Sequence, residues 1–526
     1  MTPDIAITRV ALATGFGADA EETWRQVVAG ASAVRSADGF DGAYVSQLDG
    51  ADVLMTLVKE VAPEGLPADT GVAIGTNGAP EAAWLSGKPY AVLDDVADSL
   101  GARGPRVVFG TGCVAGTNAL CYAIDALRAG VARTMVVIGV ESLTVTTMAT
   151  FRSWKAIDPA PSRPYGGSGG VNLGEGAAVL VLTADPKEED VIAYVNGYGL
   201  TSDAFHVTSP PRDGEGLHRA LRIALRDAGV APSDVDYVNG HGTGTPANDT
   251  AELAAMRAVF GQDAPPISSS KPQVGHTLGA AGAVEAALTA LAIRDQVLPP
   301  TANVAPDAPV GDWDVVPNRS RPARIDVAVT NSLAFGGANG VVVLGRHPRR
   351  AADTDPERPV EVRGFAEVAD LDTALTLIPR AYAGRAGELG ALAMAAGKAA
   401  WTDAGFTAEH RPDAERVGLV FATAEGPVGT IEELFALRER GELELISPVT
   451  APNIVASVTA GYVCQQLGIK GPLSAITSGA DSESIAEEYA RGLVARGRAD
   501  VVLVVSADER GGGARARVLA AAPRAS

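Results

Sequence analysis

The sequence is poor in cysteine, with three in 526 residues, poor in histidine, with six, and short of positive charge, and each shortage removes a class of function. Three cysteines without paired spacing exclude a disulfide scaffold or a cysteine-rich zinc site and fit a reducing compartment. Apolar runs such as AAVLVLT (177–183) fall far short of the roughly 20 residues that a membrane span needs. The opening MTPDIAITRVALATG has no basic region followed by an apolar core, so the pattern predicts a soluble, cytoplasmic protein that engages no membrane. A formal net charge of −20 speaks against nucleic acid, whose phosphates are bound by clustered Lys and Arg. No dinucleotide fingerprint, Walker loop or metal-ligand cluster is present; GVNLGEG (170–176) has the glycines of a nucleotide loop without their spacing.

What is present reads as globular α/β protein of two to four compact units. Short β-branched runs such as RVVFGTG, TMVVIGVES, EGAAVLVLT and DVDYVNGHG predict buried strands, and GTNALCYAIDALRAG and EGLHRALRIALRDAGV predict helices. HPRRAADTDPERPV, from 347, breaks the pattern with proline and mixed charge and reads as a linker over 347–359. After it the chain begins again: GPLSAITSGADSESIAEEYARGLVARGRADVVLVVSADE (471–509) parallels the strand, turn, helix and strand of 104–141. Aligning Gly497 with Gly130 and Asp508 with Glu141 sets Ala480 opposite Cys113, so the second copy lacks the sulfur.

Cys113 lies in VVFGTGCVAGTNAL (107–120), between a predicted strand and a predicted helix. By itself a cysteine is a small buried hydrophobe, and Cys121 inside the helix keeps that reading. At the turn, unpaired backbone N–H groups and the positive end of the helix dipole predict a favoured thiolate, nucleophilic at neutral pH. Gly110, Gly112 and Gly116 predict a tight turn with room for a substrate. A cysteine nucleophile needs a partner, and two histidines sit in similar glycine-rich turns: His241 in YVNGHGTGTPANDTAE and His276 in SSSKPQVGHTLGAAGAVEAAL. His218, His347 and His410 have no such setting, and His206 is intermediate. Turns at strand ends carry function disproportionately, so these three segments predict one shared site.

Six ordered segments, GTGCVAGTNAL, NLGEGAAVLVL, SDAFHVTSPPRDGEG, VNGHGTGTPANDTAE, SSSKPQVGHTLGAAGAVEA and TNSLAFGGANGVVVLG, resemble the β-ketoacyl-acyl carrier protein synthases (ketosynthases) of the Cys-His-His type. The resemblance implies an α/β, thiolase-like fold for residues 1–346, two similar halves stacked as five αβαβα layers, followed by a thiolase-like half domain over 360–526. It implies that Cys113 accepts an acyl group from a thioester, with the backbone N–H groups of Cys113 and Phe335 holding the oxyanion and Phe335 as gate. His241 and His276 would serve the enolate formed when a malonyl thioester loses CO2. A non-decarboxylating thiolase would need a second cysteine as base, and there is none between 122 and 463. Lys271 would support the histidine pair and Glu285 would be structural. Thr243 and Thr245 would contact a phosphopantetheine arm, and Leu333, where phenylalanine is common in the family, and Gly336 would border the substrate.

The same resemblance implies no permanently bound cofactor and no metal, only the phosphopantetheine arm of an acyl carrier protein as substrate carrier, with acyl and malonyl thioesters as partners. An acidic carrier would need a local basic patch, for which NRSRPARID (318–326) and RHPRR (346–350) are candidates, although the ordinary fate of such runs is a solvated face. RPYGGSGGVNLGEG carries glycines where the family has Asp and Arg, which predicts a mobile loop. ISPVTAPNIVASVTAGYVCQQLGIKGP, in the second copy, resembles the stretch that builds the dimer contact and tunnel of ordinary synthases, so the tunnel of the first domain is expected to be completed by the second. A half of a stacked fold should expose apolar surface unless covered; a homo-oligomer or an internal pseudo-dimer is expected. The alternatives are a ketosynthase-like acyltransferase or cyclase that does not elongate, and a non-catalytic partner resembling chain-length-determining subunits.

Overall fold

The β-branched runs form strands that are buried on both faces, as near-continuous apolar runs require. The computed structural model describes residues 2–48, 66–78, 92–308, 310–349, 357–407, 409–511 and 513–522. β1 (Ile5–Ala13), β2 (Gly71–Gly75), β3 (Arg106–Phe109), β4 (Thr134–Glu141) and β5 (Gly176–Ala184) lie side by side in the order β1-β5-β4-β2-β3. β6 (Ala193–Ser202), β7 (Tyr237–Asn239), β8 (Ile267–Ser268), β9 (Val327–Leu333) and β10 (Ala338–Gly345) follow in the order β6-β10-β9-β7-β8. β11 (Val360–Val368), β12 (Val417–Ala422), β13 (Leu473–Ile476), β14 (Val501–Asp508) and β15 (Gly513–Ala521) make β11-β15-β14-β12-β13. Within each group the order is first, fifth, fourth, second, third, antiparallel for the first two pairings and parallel for the others. One topology is therefore used three times.

In each group a 3-10 turn after the third strand leads into a helix, Ala115–Arg128, Ala281–Asp295 and Ser482–Ala495, and in the second group the short helix Lys271–Val274 comes before that turn. Ala281–Asp295 is buried through Ile293, mostly apolar with Glu285 and Thr289 among its buried side chains, the character of a core helix. It packs on Ala115–Arg128 between the first two groups of strands, with Thr117 in the space beside Gly282, while Val92–Leu100 and Glu215–Ala228 cover the outer faces. These are the five layers of a thiolase-like fold, and together they form the first unit. The third group is the second unit. Its helix Ser482–Ala495 carries Glu483, Glu487 and Arg491 where Ala115–Arg128 has Gly116, Leu120 and Ile124. Glu483 pairs with Arg517 at 2.6 Å and Glu487 with Arg491 at 2.7 Å. The apolar surface expected of a half domain is absent from this face, because charged side chains replace the residues that would seat a second half.

The groups join edge to edge through Ile7 with Ala193 and Phe109 with Ile476, giving a fifteen-stranded sheet. At the second junction Gly110 N donates to Ala475 O and Thr477 N to Val108 O, both at 2.9 Å, and Asn118 Nδ2 donates to Ser474 Oγ at 2.6 Å. Phe109, Tyr122 and Tyr489 form an edge-to-face trio, and Arg498 lies 2.8 Å from Asp227 and over the Tyr198 ring. Arg358, at the end of the predicted linker, is fastened to Asp500 at 2.7 Å and to Val494 O; residues 350–356 lie outside the described residues. The basic stretches are not a free cationic patch at Arg321, Arg324 and Arg349, which pair with Asp314, Asp326 and Asp234. Among the described residues no helix is long and apolar enough to cross a membrane.

Candidate active site

Cys113 occupies the 3-10 turn Gly112–Val114 at the carboxyl end of β3, with Gly112 at φ +59°, a conformation that glycine accepts without a Cβ penalty. The space beside the other two glycines belongs to protein rather than substrate. A Cβ on Gly110 would lie 2.9 Å from Thr477 Cγ2 of the second unit, and one on Gly116 would lie 2.8 Å from Ala283 N. The expected stabilisation of the thiolate by the helix terminus is overruled by burial: desolvation pushes the thiol up to about 12, Lys271 opposing and Glu141 and Glu285 reinforcing. The group at rest is a thiol, and His276 Nε2, 3.1 Å from Sγ, stands within reach of its proton. Cys121 is fully buried in the helix, as its packing role predicts.

His241 comes from the turn after β7 and His276 from the turn before the core helix, and their rings meet edge to face with centroids 5.4 Å apart. One donor atom of each histidine and Cys113 Sγ all lie within 4.8 Å of one another. Burial, then Lys271 and His276, hold His241 well below the ordinary imidazole range, and burial and Lys271 do the same to His276, so both are neutral at pH 7. Lys271, 1% exposed, forms an ion pair with Glu285 and sits 3.3 Å from His241 Nδ1. An ammonium can only donate, so Nδ1 accepts and His241 carries its proton on Nε2. The Cys-His-His trio is the one cluster of possible metal ligands among the described residues, but the Lys271 ammonium beside it opposes a cation.

Two cavities meet at Cys113. One, of about 90 Å³, is lined by His241, His276, Thr243, Thr245, Asn248 and Leu333; the Thr243 and Thr245 hydroxyls are 2.9 Å apart. The other, of about 110 Å³, runs between helix Val145–Ser153 and the second unit, which contributes Ile431, Phe435, Ile454 and Val455. Phe335 borders both, with its ring 5.0 Å from that of Trp154. Among the described residues Phe335 N–H has no hydrogen-bond partner, while its carbonyl accepts from Ser457 Oγ of the second unit at 2.8 Å. Gly336 lies on neither cavity wall; it abuts the backbone of Ser457 and Gly461. His206 is exposed and accepts from its neighbour Thr208 N.

Sequence reading gave no role to Glu252, which organises the His241 turn. Its carboxylate accepts from His241 N at 2.7 Å, Gly242 N at 2.8 Å, Tyr165 OH at 3.0 Å and Asn331 Nδ2 at 3.2 Å. Its signal was its place at the end of the His241 motif. Glu141 lines the second cavity and accepts from Asn77 N and Gly279 N; burial nevertheless pushes its carboxyl up to about 8. The loop 163–176, expected to be mobile, is tied down by carboxylates: Tyr165 N donates to Asp249 at 2.7 Å, Gly169 N to Asp158 at 3.1 Å, and Ser168 Oγ to Asp158. Backbone N–H donors here replace the arginines of an ion-paired loop.

The fold is thiolase-like, with a cysteine and two histidines brought together between its halves. The chain matches the family model Beta-ketoacyl synthase, N-terminal domain, over residues 92–187 and 338–523 and the model Beta-ketoacyl synthase, C-terminal domain, over 192–305. It belongs to the β-ketoacyl synthase family. It is 38% identical over 269 residues to 3-oxoacyl-[acyl-carrier-protein] synthase 2 of Staphylococcus aureus, covering 49% of this chain and 67% of that one. The same enzyme of Rhizobium meliloti is 42% identical over 260 residues, covering 47% and 62%. The chain thus spans about two thirds of the length of these relatives. Among solved structures, the PfaC Keto synthase-Chain length factor superposes over 100% of this chain and 79% of its own with a TM-score of 0.79 at 17% identity, a likeness of fold. The ishigamide ketosynthase/chain length factor covers 66% of this chain and 100% of its own, with a TM-score of 0.60 and 27% identity. A ketosynthase described in complex with its type II PKS acyl-carrier protein gives a TM-score of 0.60 at 25% identity, over 67% and 100%.

Proposed function

We propose that this chain is a β-ketoacyl synthase that forms a carbon–carbon bond by decarboxylative Claisen condensation between an acyl group on Cys113 and a malonyl-type thioester delivered on the phosphopantetheine arm of an acyl carrier protein. The observation that carries the reading is the Cys113 thiol 3.1 Å from His276 Nε2, beside a His241 whose tautomer Lys271 sets, at the meeting point of two cavities. Cys113 attacks the acyl thioester as its proton passes to His276; the carbonyl oxygen gains charge opposite the N–H groups of Cys113 and Phe335. The C–S bond to the carrier breaks and its thiol leaves with the proton. The malonyl thioester then enters past Thr243 and Thr245. His241 Nε2–H donates to the enolate oxygen as CO2 departs, and His276 joins it in the tautomer that carries the proton on Nε2. The enolate carbon attacks the acyl carbonyl, the Cys113 C–S bond breaks to release the elongated chain, and the departing thiolate takes up one proton from water, which restores the resting thiol.

In this reading residues 1–346 are the catalytic domain and 360–526 a built-in partner of the chain-length-factor kind. Ala480, the charged face of Ser482–Ala495 and the shared wall of the second cavity support it. The test is intact mass spectrometry of wild type and Cys113→Ala after incubation with acyl and malonyl carrier proteins. A Cys113-dependent acyl adduct and a carrier-bound product two carbons longer are expected. An adduct without elongation would assign the site to acyl transfer or cyclisation, and no adduct with any donor would leave a non-catalytic partner.

A further inference from the structure

We propose that Ser457 of the second unit is a positioning residue for acyl transfer at Cys113: its hydroxyl holds the Phe335 turn so that the Phe335 N–H faces the developing oxyanion. This rests on the reading of Cys113 as acyl acceptor and adds that the second unit takes part in the chemical step as well as in the cavity wall. Ser457 is fully buried near the start of helix Ala456–Leu467, and its Oγ donates to Phe335 O at 2.8 Å. Serine hydroxyls in helices commonly turn back to their own backbone; this one reaches across to the first unit instead.

The peptide between Phe335 and Gly336 is held at both ends. Its carbonyl accepts from Ser457, and its N–H, that of Gly336, donates to Val207 O at 2.7 Å. Two more bonds close the turn: Gly337 N donates to Ala334 O at 3.0 Å and Ala334 N to Ala338 O at 2.9 Å. Among the described residues this leaves the Phe335 N–H as the unpaired backbone donor of 334–337. The helix can come this close because position 336 has no side chain. Gly336 has φ +90°, and a Cβ there would lie 2.1 Å from Ser457 O. On the other side, a Cβ on Gly112, the residue before Cys113, would lie 3.0 Å from Ser457 Oγ. One hydroxyl thus lies between the two turns whose N–H groups meet the oxyanion. Donors that stabilise a developing charge act when they are preset, held within about 0.5 Å of the productive place. Without the hydroxyl, one end of the 335–336 peptide is released, and the adjoining Phe335 N–H can swing with it.

The test is single-turnover acylation of Cys113 in the full chain, read by intact mass over a series of acyl-carrier-protein thioester concentrations, with iodoacetamide alkylation of Cys113 as the companion reaction. Ser457→Ala keeps the helix, since alanine is the better helix former. It is expected to lower the maximal acylation rate about tenfold, less than the roughly hundredfold cost of losing an oxyanion donor outright, and to leave the half-saturating concentration within about twofold. Alkylation should keep its wild-type rate, because displacement at a saturated carbon builds no oxyanion. An unchanged maximal rate would overturn the proposal. So would a loss confined to the half-saturating concentration, which reports binding alone, or an equal loss in acylation and alkylation, the mark of a general disturbance of the Cys113 turn. Absence of any Cys113 adduct in the wild type would overturn the proposed function and this inference with it, whereas wild-type adducts that form as fast in Ser457→Ala would overturn this inference alone.

Discussion

Phe109 pairs with Ile476 across the junction of the two units, and the two are equivalent positions of the internal repeat, related as Cys113 is to Ala480 and Glu141 to Asp508. A residue that pairs with its own equivalent marks a two-fold axis, the signature of an isologous dimer interface. One chain therefore contains the interface that a dimer would otherwise supply, and one of the two cavities at Cys113 takes Ile431, Phe435, Ile454 and Val455 from the second unit.

Gly461 of the second unit is expected to control Cys113 without touching it. It lies in helix Ala456–Leu467, where alanine is the better helix former, but a Cβ there would lie 2.6 Å from Gly336 O, next to Phe335. Gly461→Ala should cost about 1–3 kcal/mol by overpacking and slow acylation of Cys113 severalfold. Unfolding and single-turnover acylation measure the two effects; unchanged acylation in a destabilised protein would show that the Phe335 turn does not need this contact.

Lys271 and Glu285 are expected to behave as one unit. Burial already pushes the Glu285 carboxyl up to about 7 against Lys271, so removing the cation leaves a buried acid that must take up a proton at pH 7, and breaking such a pair costs up to about 3–5 kcal/mol. Lys271→Met should lose about that much stability in urea at pH 7, and Lys271→Met/Glu285→Leu should recover most of it while elongation stays impaired. A double variant as unstable as the single one would deny the coupling.

The Cys113 thiol is expected to alkylate slowly at neutral pH. With the thiol pushed up to about 12 by burial, the thiolate fraction grows about tenfold per pH unit, so the iodoacetamide rate should climb throughout pH 7–9. Cys121 and Cys464 are fully buried and should remain unmodified in the folded protein. A plateau below pH 9 would show an ion pair with His276 instead.

Glu141 is expected to make the protein less stable as pH rises. Its folded value of about 8 lies above the unfolded carboxyl value, so its contribution is fully present below the unfolded value and is lost as pH climbs toward and through 8. Glu141→Gln keeps an acceptor for Asn77 N and Gly279 N and removes the titration. The difference in urea midpoint between wild type and variant should change steadily between pH 5 and pH 8, and a constant difference would refute the assignment.

Asp227 is expected to act in the opposite sense at the unit junction. Burial raises its carboxyl, but Arg498 and Arg128 outweigh burial and hold it below the usual range. Its contribution is present above the unfolded value of about 4 and is lost as pH falls through the lower folded value. Limited proteolysis should show the junction of wild type opening below about pH 4, and Asp227→Asn, already weakened at pH 7, should lack that acid step.

Much of the site was legible because it is written in local turns. Cys113, His241 and His276 each follow or precede a regular element at a glycine-rich turn, and such turns need particular residues at particular positions whatever surrounds them. The internal repeat was legible for the same reason, since the strand-turn-helix period survives the replacement of Cys113 by Ala480. Three features were not. The acidity of the Cys113 thiol was misjudged because a helix terminus is visible in sequence and the burial that outweighs it is not. The glycines near Cys113 suggested open space, yet Thr477 and Ala283, distant in sequence, fill it. The loop 163–176 looked free because Asp249 and Glu252, the carboxylates that hold Tyr165, sit in another motif.

By itself, then, the sequence determined the class of fold, the chemical groups of the site and the absence of a nucleophile in the second copy, because periodicity and turn chemistry act over a few residues. Only the tertiary structure decided the protonation states at Cys113, His241 and His276 and the polarity of the second unit's outer face. Those depend on desolvation and on contacts summed over segments hundreds of residues apart, and no local pattern carries that sum.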